Sequence, residues 1–214
     1  IPNINTSSLN QPEYCEGDEC RDTIMLTRME AELAKLSPER RARGTVVVMH
    51  QMGSHGPAYF KRTPAEFKKF TPECTDTSLA QCEREQIVNA YDNTIVFTDY
   101  FLSRVIAWLK TQDKHHTPAM LYVSDHGESL GEKNIYLHGL PYRVAPPEQT
   151  TVPLITWLSP SFEQLSRVST RCLQAHRDTP LSHDNLFHSV LGLMGVKTAS
   201  YQRDLDFFAS CEGR

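Results

Sequence analysis

No stretch of this chain reaches eighteen consecutive apolar residues, because the longest candidate, Ile95 to Leu109, is broken by Asp99 and Arg104. The residues given therefore hold no membrane-spanning helix. The start at Ile1-Pro2-Asn3 also lacks a basic n-region followed by an apolar h-region. The expectation is no signal peptide and a segment cut from a longer protein. A basic excess is missing as well: 26 acidic against 22 basic side chains give a net charge of −4, which suits a solvated surface and offers nucleic acid no electrostatic footprint. There are no internal repeats, no low-complexity tract and no pair of CxxC knuckles, which excludes solenoids and argues against a zinc ribbon.

What is present fits one domain of ordinary size. Two hundred and fourteen residues can bury a sizeable core but not two comfortable ones, and a hydrophobic share of 39% argues against wholesale disorder. Six cysteines fall at 15, 20, 74, 82, 172 and 211. Cys15 with Cys20 and Cys74 with Cys82 flank short acidic or polar segments, as stapled loops do. Two disulfides in an oxidising compartment are the expectation, against the alternative of reduced thiols. Elimination alone pairs Cys172 with Cys211. Each short staple would contribute about 2–3 kcal/mol.

Hydrophobic spacing lays out the elements. Met25, Leu26, Met29, Leu33 and Leu36 mark a helix that ends before Pro38. Residues 45–49 form a continuous β-branched run, read as a strand buried on both faces. Residues 51–85, rich in Gly, Pro and basic side chains, read as a long surface excursion with at most short helices. A long amphipathic helix follows from Ile87 to Leu109. Further strands are expected at 119–124 and 152–158, and Ser182 is expected to cap a last helix, Asp184 to Met194, closed by Gly195. Strands alternating with helices give an α/β class with a mainly parallel sheet.

In such sheets ligands collect beyond the carboxyl ends of the strands. Three polar groups fall there: His50 to Gly56, Asp125 to Ser129, and Leu137-His138-Gly139. Asp125 and His126 are adjacent and would point to opposite faces of a strand unless the chain turns, which Gly127 permits. A carboxylate and a neutral imidazole are donors that Zn²⁺ accepts, and His55 and His138 come to the same edge by topology. The plainer reading makes Asp125 a cap and His126 an edge histidine. His50 is as suited to bracing the site as to binding. His115 and His116 read as solvated loop residues, His176, His183 and His188 as structural companions of the last helix, and Asp92 and Asp99 as the polar face of the long helix.

Five motifs taken together carry a resemblance: Met49 to Pro57, Tyr91-Asp92-Asn93-Thr94, Ser124 to Glu132, Tyr136 to Tyr142, and His183-Asp184-Asn185-Leu186-Phe187. Through essentially the whole chain they resemble the bacterial lipid A phosphoethanolamine transferases, the family that includes the transferable colistin-resistance enzymes. The resemblance implies an alkaline phosphatase/sulfatase-like α/β/α sandwich at the periplasmic face of the bacterial inner membrane. It implies zinc as cofactor and phosphatidylethanolamine and lipid A as substrates, with transfer through a phosphorylated threonine. Asp125 and His126 would then be ligands of the principal zinc. His55 and His138 would line a second-metal or phosphate position and supply movable protons, and Glu128 would contact substrate. A monomer is the expectation.

The resemblance also implies what the chain does not supply. The family's glutamate ligand and nucleophilic threonine belong to stretches before the one matching Ile1, as does its transmembrane domain. Thr6 and Thr23 lack the surroundings of that threonine. Residues 1–214 are thus expected to be the C-terminal portion of one catalytic domain lacking its N-terminal strands, and to be inactive alone. A metal-dependent phosphatase or sulfatase on the same scaffold, or an inert metal- or headgroup-binding module, are the alternatives.

Overall fold

The computed structural model describes residues 11–16 and 19–213. In chain order these hold strands β1 (Cys15–Glu16) and β2 (Glu19–Cys20), helices α1 (Ile24–Ala34), α2 (Pro38–Ala42), α3 (Tyr59–Arg62) and α4 (Arg84–Gln112), strand β3 (Ala119–Val123), strands β4 (Ser129–Leu130) and β5 (Tyr136–Leu137), helix α5 (Pro147–Thr150), strand β6 (Leu154–Leu158), and helices α6 (Pro160–Ser166), α7 (Thr170–Ala175) and α8 (Asp184–Leu193). Two compact units divide them. The first takes in the described residues up to Val105 together with Gly127–Thr151, and the second Ile106–His126 with the described residues from Val152 onward. No helix among the described residues is long and apolar enough to cross a membrane.

In the first unit the core gathers Tyr59, Cys74, Leu79, Ile87 and Ala90, with Tyr91, Tyr136 and Leu137 packed against it. The long helix α4 supplies its stripe at three-and-four spacing: Ile87, Ala90, Asn93, Thr94, Phe97 and Phe101 are all buried. Two of those positions are polar, and one of them organises a neighbouring loop. The Asn93 side-chain oxygen accepts the amides of Lys69 (2.8 Å) and Phe70 (2.9 Å), and its nitrogen donates to the Phe70 carbonyl (3.0 Å) and to Glu73 (3.2 Å). The excursion at 51–85 holds only short helical turns, as its composition suggests, and it is anchored by this amide and by the Cys74–Cys82 disulfide.

In the second unit β3 pairs with β6, and Leu158, Val168, Phe208 and Cys211 form the core. Ser159, fully buried, caps α6 by accepting the Phe162 amide at 3.1 Å, with Pro160 in the first helical position. At α8 the cap falls one residue later than expected, on His183. Ser182 still engages the first turn, accepting the Asp184 amide (3.2 Å) and donating its own to Asn185 (2.8 Å). Gly195 closes the helix at φ +63°, as its position implies.

All three expected disulfides form: Cys15–Cys20 across the β1–β2 pair, Cys74–Cys82, and Cys172–Cys211. The expected sheet needs correction in two respects. Residues 45–49 are in no strand, and Val46, Val47 and Val48 are 58%, 47% and 85% exposed, so the β-branched run finds no ladder partner among the described residues. The strands at 119–123 and 154–158 do pair, but antiparallel, Val123 opposite Leu154 and Ala119 opposite Leu158. A parallel pair needs a crossover that carries the chain back to the far end of the sheet, normally through a long helix. The only α-helix within residues 124–153 is the four-residue α5, and the chain re-enters beside the end it left. Neither strand is buried along its length, so apolar composition overstated how deeply they sit.

Replacing Asn93 by Ala orphans two backbone amides that its carbonyl now satisfies. The expected cost is about 3 kcal/mol, read as a lower urea midpoint with an unchanged slope. A loss within experimental error would show that the 69–70 loop is held by other contacts.

Candidate functional site

Each predicted site residue is held by an identifiable local device. The loop that carries His55 is fixed by Asp22, whose carboxylate accepts the amides of Met52 (2.9 Å) and Gly53 (2.8 Å). Burial pushes the Asp22 carboxyl up from its ordinary range, and those two amides pull against it. The His55 amide closes a turn onto the Met52 carbonyl (3.0 Å), and Ser54 Oγ lies 2.7 Å from the buried Thr94 hydroxyl. His55 Nδ1 donates to the Gly56 carbonyl at 2.7 Å, which fixes the ring's direction.

His138 is placed by the β4–β5 hairpin. Ser129 pairs with Leu137 and Leu130 with Tyr136, so the antiparallel register puts Glu128 opposite His138. Leu137 stands at φ +63°, an unfavourable backbone for a branched apolar side chain, and Gly139 at φ +102°. The strained bend re-aims His138 at the end of the strand, as such positions often do at functional sites. Gln149 holds the bend, donating to the Leu137 carbonyl (2.9 Å) and to Ser129 Oγ (3.0 Å).

Glu128 is the most buried acid of this group, its side chain 3% exposed. One oxygen accepts His138 Nδ1–H (2.8 Å) and the Gly56 amide (3.4 Å), and the other accepts the Tyr59 hydroxyl at 2.6 Å. The His55 and His138 rings meet edge to face with centroids 4.8 Å apart, and their ligand nitrogens lie within 4.8 Å of each other. Gly127 serves a different purpose from the one its sequence suggests. A Cβ there would lie 2.1 Å from the Glu148 carbonyl oxygen, so close approach of the 148–149 backbone requires the glycine, not a left-handed turn.

In the second unit the turn after β3 makes the two donors converge. His126 Nε2 comes to 3.8 Å from Asp125 Oδ1, and the Asp125 side chain is 80% exposed. Ser124 Oγ donates to the His126 carbonyl (2.7 Å), while His183 Nε2 donates to the Ser124 carbonyl (2.8 Å). A carboxylate and an imidazole presented together in this way are a donor set that fits a divalent ion such as zinc.

The structure thus brings Asp125 together with His126, and His55 with His138 and Glu128. His50, His115 and His116 are exposed. His176 ends α7 on the Cys172 carbonyl, and the buried His188 accepts the Gln202 amide at 3.0 Å, both structural as expected. Asp92 is half-buried on α4, its carboxyl pushed up by burial. Thr6 lies outside the described residues, and Thr23 starts α1 without a side-chain cap. Sequence reasoning missed Asp22, Tyr59, Gln149 and His183. Only His183 had a signal, since it opens one of the five motifs.

The sulfatase family matches residues 3–196. Among curated proteins the chain is 42% identical over 212 residues to phosphoethanolamine transferase EptA of Escherichia coli K12, covering 99% of the chain and 38% of that protein. It is 42% identical to phosphatidylethanolamine transferase Mcr-2 of Escherichia coli, covering 87% of the chain and 32% of that protein. Among solved structures, the soluble domain of lipooligosaccharide phosphoethanolamine transferase A from Neisseria meningitidis superposes with a TM-score of 0.93 at 39% identity, over 100% of the chain and 63% of that structure. The chain therefore spans well under half the length of the curated relatives it matches.

Burial and the Glu128 carboxylate hold the Tyr59 hydroxyl well above its ordinary range near 10. Below pH 10 the hydroxyl is protonated folded or unfolded. Above it the unfolded chain releases the proton and the folded chain keeps it, so this share of stability is lost as pH rises, by about 1.4 kcal/mol per unit. Urea unfolding at pH 8 and pH 11 should show wild type losing more stability than Tyr59→Phe over that interval. Equal losses would mean that the hydroxyl is not shielded.

Proposed function

The chain belongs to the sulfatase family, and we propose that its 214 residues are the metal-binding and proton-handling portion of a zinc-dependent phosphoethanolamine transferase. Phosphatidylethanolamine is the donor and lipid A the acceptor, and the modification lowers the lipid's affinity for polymyxins such as colistin. The enzyme works as a monomer at the periplasmic face of the inner membrane, a compartment in keeping with three disulfides. The observation that carries this reading is the convergent Asp125–His126 donor pair on a chain 42% identical to a phosphoethanolamine transferase.

Asp125 and His126 hold the principal zinc in this reading, and His55 and His138 line a second-metal or phosphate position. When bound, zinc supplies positive charge that stabilises a phosphodiester's equatorial oxygens and an ionised nucleophile. Asp125 offsets part of that charge. His55 and His138, each tied at Nδ1, would exchange protons through Nε2, accepting one from a reacting hydroxyl while neutral and returning it to the leaving oxygen once protonated. The nucleophilic threonine comes from a part of the family's domain that the chain does not cover.

Two ligands are fewer than the four of a closed zinc site. The 214-residue chain, dialysed, is expected to hold less than one zinc and to transfer no phosphoethanolamine to lipid A. The chain extended upstream to the full catalytic domain should hold at least one zinc tightly, and His126→Ala should remove it. Elemental analysis of zinc and mass spectrometry of lipid A measure both. A zinc that survives a mild chelator in His126→Ala would overturn the ligand assignment.

A further inference from the structure

We propose that Tyr59 and Glu128 form a buried clamp that sets the tautomer and direction of His138, with Tyr59 a positioning residue acting through the Glu128 carboxylate. The inference rests on reading His138 as a site histidine, and it gives Glu128 a role other than touching substrate.

An ionised carboxylate only accepts hydrogen bonds, so the 2.8 Å contact requires the proton on His138 Nδ1 and leaves Nε2 as the lone-pair nitrogen of the neutral ring. A metal-ligating or phosphate-facing histidine is commonly oriented by such a partner on its other nitrogen. Glu128 can play that part only if it is held in place while 3% exposed, and a buried carboxylate short of donors is costly. Tyr59 and the Gly56 amide supply the remaining donors. With both oxygens engaged inside the protein, Glu128 has little left to offer a substrate.

The position of the Tyr59 hydroxyl is itself fixed. The residue is 1% exposed, its ring meets Tyr91 edge-on at 5.6 Å, and a Cβ on Gly56 would fall 2.7 Å from the oxygen. The clamp also opposes a backbone that has no preference of its own for this geometry, since His138 stands between Leu137 and Gly139, both at positive φ.

Nitrogen-15 spectra of histidine-labelled chain at pH 8, where an ordinary imidazole is neutral, read the tautomer directly, with His138→Gln assigning the signal. Wild type should show a protonated Nδ1 and an unprotonated Nε2. Glu128→Ala should reduce the Nδ1–H population by roughly half or more, Tyr59→Phe should reduce it less, and Glu128→Gln should retain it because the amide oxygen still accepts. If Glu128→Ala does not fold, Tyr59→Phe keeps the ring and carries the test. An unprotonated Nδ1 in wild type, or a spectrum unchanged in Tyr59→Phe, overturns the proposal. Zinc affinity by chelator competition separates it from the functional reading: both clamp variants should weaken binding about ten-fold. If Asp125→Asn leaves zinc affinity at the wild-type value while the tautomer shifts as expected, the clamp stands and the metal assignment falls.

Discussion

A carboxylate withdrawn from water must be surrounded by donors, and Glu128 imposes that demand on Gly56, Tyr59 and His138. Its side chain is 3% exposed, and donors reach it from two separate segments: the stretch that carries the amide of Gly56 and the hydroxyl of Tyr59 at the start of α3, and the imidazole of His138 beyond β5. The two lie far apart in sequence, and no strand ladder among the described residues joins them. Satisfying one buried charge is what makes their relative positions definite, and the hairpin register that sets Glu128 opposite His138 supplies the starting geometry.

Around that charge the same economy recurs with other polar groups. Asp22 pins the 52–53 backbone, Asn93 pins 69–70, and Gln149 pins the strained end of β5. The first unit has little sheet, so buried side chains do for its loops what ladder hydrogen bonds do elsewhere. The cost is sensitivity. Asp22 and Asn93 each satisfy several backbone groups and Gln149 a carbonyl and a hydroxyl, so the loss of any one orphans its partners together. The second unit is built differently, from an antiparallel strand pair and short capped helices, and its donor pair sits on the turn that leaves β3.

The amphipathic stripe from Ile87 onward, the limits of α8, the loop character of 51–85 and the Cys15–Cys20 and Cys74–Cys82 disulfides were legible in the sequence, because local spacing expresses short-range physics, whereas Cys172–Cys211, 39 residues apart, was reached by elimination alone. So were Asp125, His126, His55 and His138 as an unusual set of donors next to glycines. The strand at 45–49 and the direction in which the strands at 119–123 and 154–158 pair were misjudged, since a β-branched run states only that a residue would suit a strand. Whether a ladder forms depends on partners that the run itself does not specify.

Composition and local pattern determined that this chain folds around apolar stripes in an α/β arrangement, closes three cysteine pairs, and carries carboxylates and imidazoles at loop positions. Tertiary structure alone decided that Glu128 is buried and faces inward, that Tyr59 completes its set of donors, and that His183 reaches the carbonyl preceding Asp125. It also decided why Gly127 is glycine, through the distant backbone of Glu148 that approaches it. The division follows from the range of the forces. Periodicity and capping act within a few residues of the chain, whereas the satisfaction of a buried charge depends on which distant groups the fold brings within hydrogen-bonding distance.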